Sequence, residues 1–179
     1  ILFGSNPRFH PSLTAIDHAI FDCLAGLLLN QQSSAARRTW IVLDNFCTAG
    51  RLGELPALVQ RGRSKGVCIA LSAHDITGIR QLYGPQTAEE FVASCRFQTV
   101  LRTDDPATAA WAEQHFGPPL RAADLLSLPP TDPAHGFRAF HNTPQAGTHF
   151  AHKPWDWVLA NLLPPKEDAP SGEAPSTDA

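Results

Sequence analysis

Residues 40–44, Trp-Ile-Val-Leu-Asp, constrain the fold of this chain more than any other stretch. Four consecutive apolar residues leave no polar face, so they predict a central strand of a parallel sheet, buried on both sides. The run stops abruptly at Asp44, which such a strand delivers to the carboxyl edge of the sheet, where α/β proteins place their ligands. Val67-Cys68-Ile69-Ala70-Leu71 repeats the pattern and stops at Ser72-Ala73-His74, and Phe97 to Arg102 reads as a further strand.

The segments between these runs carry helical signals. Pro11 to Leu29 has apolar residues at helical spacing, with Ser12 placed to cap it. Glu54 to Ser64 is a short helix candidate, and helices are expected at Asp75 to Tyr83 and at Pro85 to Ser94, the latter with proline in its first turn. Pro106 to Phe116 follows Asp104-Asp105, a favourable arrangement for the helix dipole, and Gly117 ends it. Alternating strands and helices predict an α/β fold with a parallel, doubly wound sheet. Ile1 to Phe3 reads as the end of an earlier strand before a Gly-Ser-Asn-Pro turn. Beyond Pro118 the pattern weakens to a short helix at Ala122–Leu126, a strand at Gly136–His141 and a segment around Trp155, Trp157 and Leu159 that packs back on the core. From Pro164 onward Pro, Ser, Ala, Gly, Asp and Glu predominate, and that tail is expected to be disordered.

Composition narrows the function. The chain has 179 residues, 43% hydrophobic, with 14 basic and 17 acidic side chains and a net charge of −3. That balance excludes a globally basic nucleic-acid binder, so contact with nucleic acid must be local. The longest apolar stretch, Ala19 to Leu29, is too short to span a membrane. Cys23, Cys47, Cys68 and Cys95 form no C-x-x-C pair, which points to buried thiols in a reducing, cytoplasmic setting. No Met occurs. With the strand-like start, this suggests the C-terminal part of a longer product.

Asp44 closes a Walker B arrangement, in which a carboxylate holds the water shell of magnesium beside nucleotide phosphates. An apolar strand ending in Asp is common, and the pattern alone favours a structural role. His135, His141, His149 and His152 match no zinc template. Asp17, His18 and Asp22 do not share one helix face, no G-x-S-x-G occurs, and Trp111, Trp155 and Trp157 read as packing residues. Arg51, Arg61, Arg63 and Lys65 form a modest basic cluster, equally readable as a solvated face or as the lining of an interface or DNA channel.

The order of pieces from Trp40 to Gly117 adds to this. Asp44, Gly50-Arg51-Leu52, Leu55-x-x-Leu58-x-x-x-Gly62-Arg63, Gly66 to Leu71, Leu82-Tyr83-Gly84 and Arg102-x-Asp104-Asp105-Pro106-x-Thr108-Ala109 occur in sequence. Together they resemble the motor domain of conjugative type IV secretion coupling proteins, the TraD-type DNA-translocating ATPases. The resemblance implies a RecA-like P-loop NTPase core, with helices on both faces of a parallel sheet. It implies a membrane-anchored homo-hexamer at the cytoplasmic face of the bacterial inner membrane. Such a hexamer uses ATP and magnesium to pump single-stranded DNA in plasmid transfer, docking the relaxase and its relaxosome on the secretion channel. Residues 1–117 would be motor, 118–163 an extension packed on it and 164–179 the tail, with no direct membrane contact.

By the same resemblance, Asp44 is the Walker B aspartate, placing magnesium through water. Arg63 is the arginine that reaches a neighbouring subunit's nucleotide. His74 stands where the family has a phosphate-sensing glutamine, and Asn45 where it has the glutamate that orients the attacking water. An amide cannot take a proton from that water, so hydrolysis is expected to be slow or absent. No G-x-x-x-x-G-K-[ST] occurs, so this segment alone is expected to bind no nucleotide. A degenerate, non-catalytic interaction domain, or a related FtsK/HerA-type DNA-pumping ATPase, are the alternatives.

Overall fold

The structure, a computed structural model, describes residues 10–162. The expected strand and turn at the start and the tail from Pro164 lie outside the described residues. Helix α1 (His10–Leu29) begins before Ser12, which therefore lies inside the helix and is not its cap. Phe21 and Ala25 are its buried positions, whereas Ile16, Ile20 and Leu27 are exposed.

Strands β1 (Thr39–Leu43) and β2 (Val67–Leu71) pair in parallel, with Leu43 opposite Leu71. The strand expectations hold to within a residue. The burial expectation does not. Ile41, Leu43, Ile69 and Leu71 pack against a core of Phe21, Ala25, Phe46, Leu52, Leu55, Leu58, Tyr83 and Phe91. Trp40 and Val42, on the other face, are 68% and 70% exposed. Strand residues alternate sides, so a four-residue apolar run must present two of them to each face. Here the described helices cover one face only.

Between the strands, α2 (Leu55–Arg61) carries the fully buried Leu55 and Leu58, each contributing about 1.5–3 kcal/mol by burial. It tightens into a 3-10 turn, Gly62–Lys65, that ends at Gly66 with φ 79°. A side chain there would meet the Arg37 carbonyl oxygen at 2.5 Å, so only glycine brings the chain this close to the loop before β1. Helices α3 (Ile76–Tyr83) and α4 (Pro85–Ser94) fall where their capping residues place them. Asp75 Oδ1 accepts the Gly78 N–H at 2.5 Å, and proline opens α4.

Strand β3 (Gln98–Val100) is shorter than expected and is hydrogen-bonded elsewhere. It pairs antiparallel with β4 (Phe137–Thr143), which forms a hairpin with β5 (Gly147–Lys153). The α/β class with a parallel sheet stands, but the described bonds form two sheets, a parallel pair and an antiparallel ribbon. Helix α5 (Pro106–Phe116) begins as expected at Asp105. That carboxylate accepts the Ala107 and Thr108 N–H groups and the Thr108 hydroxyl, which hold its pKa below the ordinary value. Its buried Ala109, Ala112 and Phe116 meet Leu120, Leu125 of α6 (Ala122–Ser127) and Phe140 in a second core. In α7 (Trp155–Leu162) Val158 is buried, while Trp157 and Leu159 are exposed.

Candidate functional site

The carboxyl edge of the β1–β2 pair is built around Ser72. Its backbone N–H donates to the Leu43 carbonyl and its own carbonyl accepts the Phe46 N–H, each at 3.0 Å. Its hydroxyl donates to Asp44 Oδ1 at 2.5 Å and accepts the Asn45 N–H at 2.7 Å. Four bonds from one residue thus fix the turn that carries Asp44. The parallel register makes this possible, because pairing Leu43 with Leu71 sets the next residues of both strands side by side. Asp44 is exposed and keeps Oδ2 free of any described hydrogen bond.

Asn45 is the one described non-glycine residue with positive φ, at φ 45° and ψ 51°. Asparagine tolerates the left-handed region better than other L residues. The conformation turns the chain sharply out of β1 into the 3-10 turn Phe46–Ala49, and the Asn45 carbonyl accepts from Thr48. His74 follows on the same edge. It is exposed, makes no hydrogen bond with the described residues, and lines a cleft of about 490 Å³. That cleft runs between Leu71 and Ser72 on one side and Gln98–Leu101 on the other, over Phe91 and Val92. Among the described residues β2 is hydrogen-bonded only to β1 and β3 only to β4, which leaves an edge of each unpaired there.

Arg63 is not part of this edge. It lies in the 3-10 turn before β2, at the amino end of the pair, roughly 16 Å of strand away at about 3.3 Å per residue. The structure therefore groups Asp44, Asn45 and His74 and separates Arg63 from them. The basic cluster is divided in the same way. Arg61, Arg63 and Lys65 line a groove of about 1360 Å³ at the amino end, joined there by Arg38 and Arg96, whereas Arg51 follows Gly50 on the carboxyl side.

Several expectations about other residues change. Cys23 is exposed rather than buried, and Cys47, Cys68 and Cys95 are partly buried, all four as free thiols. Burial raises the pKa of Cys47, with Asp75 adding to it, and burial alone raises that of Cys95, so neither is an activated thiolate. His141 and His149 meet at a tilt across the hairpin, ring centres 5.6 Å apart, and His135 bonds Asp132, but no described group of three or more His, Cys, Asp or Glu could hold a metal. His18 and Asp22 are structural: His18 Nε2 bonds the Ala49 carbonyl, and Asp22 Oδ1 accepts the Glu54 N–H. Sequence reasoning missed Ser72. Its signal was a hydroxyl ending the second apolar run, as an acid ends the first.

A parallel strand pair with an acid held at its carboxyl edge, backed by helices, defines an α/β protein. The chain belongs to the type IV secretion coupling proteins, since residues 1–119 match the family described as the type IV secretion-system coupling protein DNA-binding domain. No curated protein matches the chain. Among solved structures it is similar to the bacterial conjugative coupling protein TrwBdeltaN70, unbound monoclinic form, at 17% identity and TM-score 0.69, covering 83% of this chain and 38% of that one. It is also similar to the plasmid coupling protein TrwB in complex with the GTP analogue GDPNP, at 19% identity and TM-score 0.69, with coverage of 84% and 39%. The complex of TrwB with ADP and Mg2+ matches at 19% identity and TM-score 0.66, covering 84% and 38%. The chain thus spans under two-fifths of the solved chains it resembles. No described helix is long and apolar enough to cross a membrane.

Proposed function

We propose that this chain is the Walker B half of a DNA-pumping motor, and that its nucleotide site is completed by a phosphate-binding strand and loop from elsewhere in a longer polypeptide. The observation that carries this reading is the carboxyl edge itself, where Ser72, bonded to Asp44, lines a cleft flanked by two strand edges unpaired among the described residues. A strand entering between β2 and β3 would end beside Ser72 and His74, one strand from Asp44. TrwB, similar in fold, has been captured with a GTP analogue and with ADP and Mg2+.

The donor set fits such a group in part. A hard carboxylate oxygen suits the water shell of magnesium, which is bound through one or two carboxylates and otherwise keeps its waters. No phosphate loop occurs in the sequence, so the phosphates need a cradle from outside it. Bound ATP would supply the phosphoryl transfer that drives translocation. Asp44 would hold magnesium through its water shell, Ser72 fixes Asp44, and His74 lines the neighbouring cleft. Arg63, at the far end of the strands, serves a neighbouring subunit rather than its own edge. In this reading residues 1–117 belong to the motor and 118–163 to a C-terminal extension of its core. The parent is a membrane-anchored hexamer at the inner membrane that moves single-stranded DNA for a relaxase and secretion channel.

The test is ATPase activity of the longer polypeptide carrying a phosphate loop. Asp44→Ala should reduce turnover at least a hundredfold, and Asn45→Glu should raise it at least tenfold. If neither substitution changes turnover, the second reading holds: a non-catalytic interaction domain, favoured by the amide at position 45.

A further inference from the structure

The antiparallel ribbon sets two imidazoles side by side. Thr99 of β3 stands opposite His141 of β4, which stands opposite His149 of β5. Directly opposed residues project from the same face, so the three side chains form one row across the ribbon. The His141 and His149 ring centres are 5.6 Å apart, with their planes at 42°. Two imidazoles that share a tetrahedral metal, each nitrogen about 2.0–2.1 Å from it, have ring centres roughly 5 Å apart. A small turn of either ring closes the difference.

The hydrogen bonds of both rings leave the same nitrogen open. His149 Nδ1 bonds the Gly147 carbonyl at 3.2 Å, and a carbonyl only accepts, so Nδ1 carries the proton and Nε2 the lone pair. His141 Nδ1 lies 2.8 Å from Thr99 Oγ1. Neither Nε2 has a hydrogen bond among the described residues. Metal-ligating histidines are oriented in this way, with the second ring nitrogen held by an oxygen. Burial, then His149, lower the His141 pKa below 6.5, so its ring is neutral at pH 7 and keeps a lone pair to donate. No carboxylate is among the groups that shift it. Imidazole donors without carboxylates suit zinc or copper rather than magnesium or calcium. Both histidines lie beyond residues 1–119, the segment that matches the family.

We propose that His141 and His149 bind one divalent cation of the zinc and copper class through their Nε2 atoms, with Thr99 positioning His141 and water filling the remaining coordination positions. The ion clamps β4 to β5 across the hairpin. It is separate from the Asp44 edge and needs no nucleotide. Because both rings must be neutral to ligate, protons compete with the ion and release it as pH falls.

Zinc chloride added to the 179-residue chain tests this, in a Cys23→Ser background that removes the exposed thiol. In long-range 1H–15N spectra the Nε2 resonances of His141 and His149 should shift together and saturate at one zinc per chain, while magnesium shifts neither. Zinc should also raise the thermal midpoint, since it binds the folded hairpin. His149→Gln should abolish that rise and weaken zinc affinity at least tenfold by titration calorimetry. Thr99→Val should weaken it about tenfold, as loss of a residue that orients a ligand does. His152→Gln, on the opposite face of the ribbon beside Arg138, should change neither. Nε2 resonances of His141 and His149 that zinc leaves unmoved overturn the proposal, as does an affinity that His149→Gln leaves intact. An equal loss in His152→Gln also overturns it, by assigning the ion to another part of the ribbon.

Discussion

Ser72 Oγ lies 2.5 Å from Asp44 Oδ1 and also accepts the Asn45 N–H, so one hydroxyl joins the ends of both parallel strands. Ser72→Ala should therefore destabilise the chain by about 1 kcal/mol, the net loss for hydrogen bonds at a solvent-exposed edge. Urea denaturation should show a lower midpoint with an unchanged slope. Asp44→Asn keeps an acceptor for the hydroxyl and should cost less than Ser72→Ala.

Asn45 tests backbone against side chain. Its left-handed conformation costs most L residues roughly 1–2 kcal/mol, and glycine almost nothing. Asn45→Gly should leave the denaturation midpoint nearly unchanged, while Asn45→Glu should lower stability by about 1 kcal/mol. Any gain in turnover from Asn45→Glu in the longer polypeptide is thus expected in spite of a weaker fold.

Gly66 is a harder constraint, because positive φ coincides with the Arg37 carbonyl 2.5 Å from any added Cβ. Gly66→Ala should cost at least about 2 kcal/mol, from backbone strain and a clash with rigid main chain. Thermal melting of the purified variant checks this. Gly84→Ala also carries positive φ but meets nothing within 4 Å, so it should pay the strain alone and melt higher than Gly66→Ala.

His141 makes stability depend on pH. Burial, and next His149, lower its pKa below the ordinary 6.5, and its Nδ1 lies 2.8 Å from Thr99 Oγ1. A lowered pKa means that the unfolded chain binds the proton more readily, so stability falls as pH falls. His141's contribution is complete above pH 6.5 and is lost as pH drops through its folded value. The difference in urea midpoint between the wild type and His141→Gln should shrink, or reverse, from pH 7.5 to pH 5.

The sequence carried these elements unevenly, for physical reasons. Strands β1 and β2 and helices α4 and α5 were legible because apolar runs, prolines and capping aspartates act within a few residues. Pairing is non-local, and there the reading failed. Val100 pairs with Phe140, forty residues away, so nothing near Gln98 announces an antiparallel partner. Strand β5 escaped because Thr148, His149 and His152 give it little aliphatic alternation. At the site, the end of an apolar run pointed to Asp44, whereas Asn45 and His74 were named from the family resemblance. Ser72 needed the register, and the separation of Arg51 from Arg63 needed the strands' direction.

Tyr83 ties the turn beyond the carboxyl edge to the helical layer, and it separates packing from hydrogen bonding. Its hydroxyl accepts the buried Leu52 N–H at 3.0 Å, while its ring meets Phe91 edge-on at 4.9 Å and Phe46 at 6.0 Å. Burial raises its pKa, so the phenol stays protonated and the bond persists across ordinary pH. Tyr83→Phe keeps the ring contacts but strands a buried donor, which should cost about 1–3 kcal/mol. Phe91→Ala keeps the bond but empties the centre of the aromatic cluster, which should cost about 3–5 kcal/mol. Amide exchange tells the two apart. In Tyr83→Phe, loss of protection should centre on Leu52, whereas in Phe91→Ala it should extend through α3 and α4.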